Sequence, residues 1–167
     1  VVNGGEAKFA SNVTEIGNVK TADGAKATVQ PAAGTTVTIA SITVGGSEGT
    51  LNNNGLGDVN IITATKEEKT LNVYGGPVYI NNVISDGPNG DIYIGDDIVS
   101  GNLTYTNGGN YSYHGPTGVY SGSTLTFANG NVNLTNSDVT INAGATLVLE
   151  YNTSAITANS VNSLTLK

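Results

Sequence analysis

The chain has 167 residues, with six Lys, no Arg and 13 Asp or Glu, which together give a net charge of -7. It has no Cys and a single His, so thiolate chemistry and a His-rich zinc site are both excluded. A nucleic-acid-binding protein needs a basic surface, so we expect no nucleic-acid partner for an acidic chain without Arg. The length predicts one domain over residues 1–167, and the sequence has no run of 18 apolar residues that would form a membrane-spanning helix.

Short runs of alternating apolar and polar residues, separated by Gly and Asn, follow one another along the whole chain. Val, Ile, Thr and Tyr are frequent in these runs, which is typical of β-strands. The charged segment 65–69 is too short for a stable helix and predicts a turn. The sequence therefore predicts an all-β fold. In chain order, similar runs begin at Thr50, Thr70, Asp91, Thr124, Thr146 and Ser163.

The separations between these runs indicate a repeating coil. They are 20, 21, 33, 22 and 17 residues, and Thr104, which lies 20 residues before Thr124, falls inside the longest gap. Coils of about 20 residues are typical of a parallel β-solenoid, and roughly eight of them would form a rod of ~40 Å. The segment 75–122 fits the spacing worst and is expected to be irregular or to protrude.

An antiparallel β-sandwich or jelly roll is the alternative fold. Asn-Gly pairs such as Asn54-Gly55 and Asn107-Gly108 supply residues that tolerate positive φ, which hairpin turns need. Hairpin strands that begin about every 8–12 residues also repeat at twice that distance. The spacing alone therefore leaves both folds open.

The segment from Val139 to Leu149 reads Val-Thr-Ile-Asn-Ala-Gly-Ala-Thr-Leu-Val-Leu, and the segment from Gly34 to Ile39 is a weaker match to it. This segment resembles the repeats of autotransporter passenger domains and of filamentous-haemagglutinin-like exported adhesins, which are rich in the phrase Val-x-Ile-x-x-Gly-Ala-Thr-Leu-x-Leu. The resemblance implies a right-handed parallel β-helix that is extracellular or at the cell surface. It also implies a role in adhesion, coating or fibre building.

An uncapped β-solenoid has open strand edges at both ends, which favour strand addition or end-to-end stacking between copies. Val1, Val2 and Phe9 near one end, and Leu164 and Leu166 near the other, are the expected assembly edges. We therefore expect a homo-oligomer or filament. The leading hypothesis is a non-catalytic, exported structural surface protein: a self-assembling fibre or coat subunit, or an adhesin segment.

Seven of the eight Tyr residues lie between Tyr74 and Tyr120. The densest group, Tyr111 and Tyr113 with His114, predicts a contact patch together with Tyr120, because exposed Tyr stacks on sugars and is common at interfaces. On alternate strand positions the same rings would instead fill the core. A carbohydrate-binding or carbohydrate-cleaving β-helix that contacts surface glycans is therefore the second hypothesis.

The pair Asp96-Asp97 and the later His114-Gly115 are similar to the carboxylate pair and His-Gly motif of polygalacturonase-type β-helical glycosidases. Those enzymes also use Asn-x-Asp upstream and Arg-x-Lys downstream, and this chain has no Arg. Adjacent carboxylates on a strand would point to opposite faces, which hinders joint acid and base catalysis. We therefore expect a solvated acidic turn and no enzyme activity.

The turn that contains Asp86, Asn89 and Asp91 is rich in oxygen ligands. Calcium takes about six to eight oxygens from carboxylates, amides and backbone carbonyls, so this turn is the candidate site for a calcium ion. It lacks the regular spacing of known calcium-binding loops. A plain turn before a strand, with no cofactor, is the alternative.

Five Asn-x-Ser/Thr sequons are candidate glycosylation sites. They begin at Asn12, Asn102, Asn110, Asn133 and Asn152. Several would arise by chance in a chain so rich in Asn, Ser and Thr. In an exported protein whose source glycosylates such sites, we expect them on the surface.

Overall fold

The computed structural model describes residues 5–22, 24–66, 69–84, 90–128, 132–150 and 159–167, with the backbone alone at residues 107, 108 and 110. The regular secondary structure in these ranges consists of β-strands alone, as the alternating sequence predicts. The strands are β1 (Glu6–Phe9), β2 (Glu15–Thr21), β3 (Ala25–Val29), β4 (Thr36–Val44), β5 (Glu48–Asn53), β6 (Asp58–Thr65), β7 (Thr70–Ile84), β8 (Ile92–Ile94), β9 (Gly101–Tyr111), β10 (Thr117–Val119), β11 (Thr124–Phe127), β12 (Asn133–Ile141), β13 (Thr146–Leu149) and β14 (Ser160–Leu166).

The strands stack as a parallel β-solenoid of about six turns, with about 22 residues per turn. All pairings between described strands are parallel. One column, which we call the first column, runs in the order β1-β3-β5-β7-β8-β10-β12-β14. The predicted solenoid is therefore confirmed and the antiparallel alternative is wrong. The turns are slightly longer and fewer than the expected eight coils of about 20 residues.

A second column runs in the order β2-β4-β6-β7-β9-β11-β13. Strand β7 is long enough to belong to both columns, since residues 71–73 pair with β8 and residues 78–80 pair with β9. A register shift between Gly75 and Val78 marks the corner where β7 passes from one column to the other. Each coil is thus a bent strand or a pair of strands joined by a short corner.

Inward-facing side chains line up from coil to coil and form the core. They are fully or almost fully buried, and burying each Val, Leu, Ile or Phe side chain among them contributes about 1.5–3 kcal/mol relative to leaving it exposed. One row in the first column is Ala27, Leu51, Val73, Ile94, Val119 and Ile141. One row in the second column is Ile39, Ile61, Ile80, Tyr105 and Phe127.

A glycine in the left-handed region recurs at the corner between the two columns. Gly34, Gly122 and Gly144 have φ angles of 72°, 74° and 77°. Each is the third residue of a four-residue turn closed by a backbone hydrogen bond of 2.9–3.1 Å. A positive φ at this position favours Gly, because it has no Cβ. The glycine of the segment 139–149 is therefore a corner glycine between β12 and β13.

The uneven spacing of the sequence runs has a structural cause. Asp91 precedes β8 in the first column and Thr124 begins β11 in the second, so the 33-residue step crosses between columns. Within the second column Thr104 pairs with Thr126, which is one turn of 22 residues. The described strands of the segment 75–122 pair with their neighbours in the solenoid, with register shifts between Gly75 and Val78 and between Ile80 and Asn82, and residues 85–89 lie outside the described ranges.

Candidate functional site

Three tyrosines, Tyr74, Tyr93 and Tyr120, project from the outer surface of the first column, and we call them the tyrosine face. Each alternates with a buried inward residue and is itself half-buried. They come from successive coils, with Tyr93 in β8 paired to Asn72 of β7 and to Gly118 of β10. The rings of Tyr93 and Tyr120 meet edge to face, with centroids 5.8 Å apart.

Two carboxylates hold the tyrosine hydroxyls. The hydroxyl of Tyr93 donates to Asp91 Oδ2, and that of Tyr74 donates to the carboxylate of Asp96. The hydrogen bond to Asp91, together with burial, raises the pKa of Tyr93 to about 12. Burial and the bond to Asp96 raise the pKa of Tyr74 to about 12. Both rings are therefore neutral and oriented before any ligand arrives.

Asp96 is itself fixed by its own loop. Its Oδ1 accepts hydrogen bonds from the backbone N–H of Val99 at 2.6 Å and of Ile98 at 2.7 Å. These bonds, followed by the bond from Tyr74, hold the pKa of Asp96 below its usual range. Asp96 and Asp97 lie in the loop after β8, where the sequence predicts an acidic turn, and Asp97 is exposed.

Two glycines lie among the tyrosines of the face. A Cβ at Gly118 would lie 2.9 Å from Cδ1 and 3.2 Å from Cε1 of Tyr93, so the ring rests against a position that has no side chain. Gly95, with a φ of 72°, directly follows the inward residue of its coil, as Tyr74 and Tyr120 do in the coils on either side. A Cβ at Gly95 would clash with Ser123 Oγ and with the Val99 carbonyl, so the backbone is closely packed at this position.

The charge around the tyrosine face is mostly negative. Glu48 and Asp96 act electrostatically on Tyr74, and Asp91 acts on Tyr93. The ammonium of Lys26 lies 6.0 Å from the centroid of the Tyr74 ring, at the outer limit of a cation–π contact. The face therefore combines aromatic rings with three carboxylates and the nearby amine of Lys26.

A groove of about 550 Å³ crosses the corner beside the tyrosine face. Gly75, which directly follows Tyr74, and Gly122, two residues after Tyr120, both line it, so the groove and the face adjoin. Its other lining residues are mainly small or polar: Asn53, Asn54, Gly55, Leu56, Gly76, Pro77, Ser100, Gly101, Asn102 and Thr124.

The groove is shaped by the buried side chain of Asn53. Its Nδ2 donates to the carbonyls of Pro77 at 2.9 Å and Gly57 at 3.0 Å, while its Oδ1 accepts from the N–H of Gly55 at 3.1 Å. Asn53 thus satisfies backbone groups from its own corner and from the next coil.

Two residues of the predicted contact patch, Tyr111 and Tyr113, lie in the core instead of at the surface. The Tyr113 hydroxyl is bonded to the hydroxyls of Tyr105 at 2.8 Å and Thr117 at 2.6 Å. Burial raises the pKa of both residues, that of Tyr111 to about 12. Because their hydroxyls find partners inside the solenoid, these rings fill the core, which was the alternative interpretation.

The other two residues of the predicted patch are at the surface. His114 is exposed on the segment that precedes β10, and Tyr120 belongs to the tyrosine face. The sequence indicated the Tyr-rich region but missed Tyr74 and Tyr93 as surface residues. The signal that could have found them is their place next to Val73 and Ile94, which become inward positions once the column register is known.

Lys66 is a buried cation that the sequence did not reveal, since the segment 65–69 reads as a charged turn. Its side chain is 0% exposed, its ammonium donates to the carbonyl of Gly90, and it lies 5.1 Å from the centroid of the Tyr113 ring. Burial lowers the pKa of Lys66 to about 8, although nearby Asp91 opposes the shift. The buried amine therefore loses its proton at a lower pH than an exposed lysine does.

The candidate calcium turn falls mostly outside the described residues, which is where Asp86 and Asn89 lie. The described Asp91 accepts the hydroxyl proton of Tyr93. Across the described ranges, no group of three or more His, Asp or Glu side chains is arranged to hold a metal ion.

Three of the predicted sequons present an exposed asparagine: Asn12, Asn102 and Asn133. The Oδ1 of Asn133 accepts from the N–H of Thr135 at 3.1 Å. The side chain of Asn110 and all of Asn152 lie outside what the structure describes.

The inward rows are uncovered at the last described coil. Leu164 pairs with buried Val139 and Leu166 with buried Ile141, yet the two leucines are 45% and 72% exposed. We call Leu149, Leu164 and Leu166 the open face. At the opposite end, Phe9 pairs with Val29 and is half-buried, while Val1 and Val2 lie outside the described residues.

Comparisons of the chain with protein-family models, with curated proteins and with solved structures found no match. The described residues contain no helix that is long and apolar enough to cross a membrane.

Proposed function

We propose that this chain is a non-catalytic structural segment of an exported surface protein, a β-helical part of a fibre, coat or adhesin. The observation that carries the proposal is the open face. Leu164 and Leu166 continue two core rows but are left exposed, and an exposed row of this kind favours a further coil stacked against it.

The geometry of the corner between β12 and β13 supports the resemblance to exported β-helical proteins. The segment from Val139 to Leu149, which resembles autotransporter passenger and filamentous-haemagglutinin-like repeats, forms strand, glycine corner and strand in this fold. The composition also suits an extracellular or cell-surface protein, because a chain without Cys, Met or Trp has little to oxidise.

We propose that the coil covering the open face comes from a second copy of the chain. The first column ends in β14 on one side and β1 on the other, and each pairs with a single neighbour among the described strands. Stacking β1 of one copy on β14 of the next is a head-to-tail contact, which generates an open filament.

Sedimentation velocity and negative-stain microscopy across a range of protein concentrations test this proposal. We expect filaments or longer rods to increase with concentration in the wild type. Leu164→Lys and Leu166→Lys place a charge in the stacking interface and are expected to abolish association while the far-UV circular dichroism spectrum stays that of a β protein.

Leu56→Lys is the matched control, because Leu56 is 84% exposed on a corner loop away from the open face. This variant is expected to associate like the wild type. A monodisperse monomer at every concentration, or equal loss of association in Leu56→Lys, would contradict the proposal.

A further inference from the structure

We propose that the tyrosine face and the adjoining corner groove bind a polysaccharide of uncharged pyranose sugars. The inference concerns a surface separate from the open face, so it does not depend on whether copies of the chain associate.

The tyrosine face offers aromatic surface that is already ordered. The hydroxyls of Tyr74 and Tyr93 each donate a hydrogen bond to a carboxylate. The Tyr93 ring also packs against the ring of Tyr120 and against the backbone of Gly118. Ordered rings lose little conformational entropy when a ligand stacks on them. Sugar rings present apolar C–H faces, which suit such platforms.

The spacing along the column fits a chain of sugars. Tyr74 and Tyr120 follow inward residues of coils that are two steps apart, which corresponds to about 10 Å between their backbones. The intervening coil contributes Gly95 at the matching position, the Tyr93 ring against Tyr120 and the Asp96 carboxylate at the Tyr74 hydroxyl. A linear polysaccharide lying along the column would place successive rings against successive tyrosines.

Polar groups beside the rings match sugar hydroxyls. The groove next to Tyr74 is lined by the amides of Asn54 and Asn102 and the hydroxyl of Thr124. Amide side chains can donate hydrogen bonds to sugar hydroxyls and accept hydrogen bonds from them, and carboxylates can accept hydrogen bonds from the same hydroxyls. The groove therefore supplies hydrogen bonds where the tyrosine face supplies stacking.

The charges select against acidic ligands. Glu48, Asp91 and Asp96 surround the face, and the nearby amines among the described residues are those of Lys26 and of the buried Lys66, within a chain of net charge -7. Uronic-acid polymers and nucleic acids would be repelled. A neutral polysaccharide carries no such penalty.

Affinity electrophoresis of the full chain in native gels tests the inference. The gels contain hydroxyethylcellulose, galactomannan or xyloglucan as neutral probes, and polygalacturonate as the acidic probe. We expect a neutral probe to retard the wild type and polygalacturonate to leave its mobility unchanged. Tyr93→Ala and Tyr120→Ala should each bind about tenfold more weakly, as expected for the loss of one stacking contact.

Tyr79→Ala is the matched control, because Tyr79 projects from the second column, away from the tyrosine face. It is expected to bind like the wild type. Tyr93→Phe keeps the ring and should retain most of the binding, which separates stacking from a general loss of folding. Thermal melts confirm that each variant is folded.

Absence of retardation by all three neutral probes overturns the inference. It is also overturned if only polygalacturonate binds, or if Tyr79→Ala weakens binding as much as Tyr93→Ala. Capture of a protein partner through the same tyrosines, with no sugar binding, would likewise replace it.

Discussion

The ring of Tyr93 lies against the backbone of Gly118 on the next coil, so close that a Cβ there would be 2.9 Å from Cδ1 of the ring. Gly118→Ala therefore forces the ring to move, and overpacking of this kind costs about 1–3 kcal/mol. We expect a lower free energy of unfolding by urea titration.

The same substitution in a Tyr93→Ala background isolates this contact. Once the ring is gone, Gly118→Ala should cost much less, and the difference is the coupling between the two positions. An equal cost in both backgrounds would show that the ring is not the obstacle.

The corner glycines allow a clean test of backbone strain. A Cβ at Gly34 meets nothing within 4 Å, but its φ is 72°, so Gly34→Ala should cost about 1–2 kcal/mol for conformation alone. Gly17→Ala is the control, because Gly17 lies in β2 with no positive φ and equally open space, and it should be neutral or slightly stabilising. Chemical denaturation compares the two, and equal effects would refute the role of φ.

Asn53 is expected to be the most important polar side chain of the corner groove. Asn53→Ala leaves the carbonyls of Gly57 and Pro77 and the N–H of Gly55 without this partner, which should cost about 2–4 kcal/mol. The neighbouring Asn52→Ala removes a long, half-buried hydrogen bond of 3.5 Å to Thr28 and should cost under about 1 kcal/mol. Thermal or urea unfolding measures both, and a larger loss for Asn52→Ala would contradict the assignment.

The stability of the protein should pass through a maximum near pH 10. The pKa of Lys66 falls from 10.5 to about 8 on folding, so the unfolded chain binds more protons between these values and stability rises with pH there, by on the order of 2 kcal/mol. The pKa values of Tyr74, Tyr93 and Tyr111 rise from 10.0 to about 12, so above pH 10 the folded chain binds more protons and stability falls.

Melting temperatures measured from pH 7 to pH 11.5 test this profile. Lys66→Met should remove the rise above pH 8 while the fall above pH 10 remains. Lys20→Met, at an exposed position of β2, should leave both limbs in place. A rise that persists in Lys66→Met would assign it to another group.

The fold could be predicted further than the site. Alternating runs and the Gly-Ala-Thr-Leu corner at residues 144–147 carry the signals of strand and turn, which depend on local chemistry. Which face of a strand points inward depends on the register between coils, and the 33-residue step from Asp91 to Thr124 crosses columns. A single repeat length read along the sequence therefore could not align the strands of the two columns.

The tyrosines show why the site was harder to predict. Tyr113 lies outside any strand, and its hydroxyl meets those of Tyr105 and Thr117, eight and four residues away, inside the solenoid. Tyr93 stays outside because Gly118, one coil later, leaves room for it. Both choices depend on which strand positions face inward, and that is known only once the coils are in register.

The parallel, in-register columns have a mechanical consequence. Hydrogen bonds between neighbouring coils run along the stacking direction, so tension in that direction acts on the bonds of one terminal coil before those of the next. Under tension applied at its two ends, such a structure is expected to unfold one terminal coil at a time. It lengthens by about 22 residues of released chain at each step, while the remaining coils keep their register.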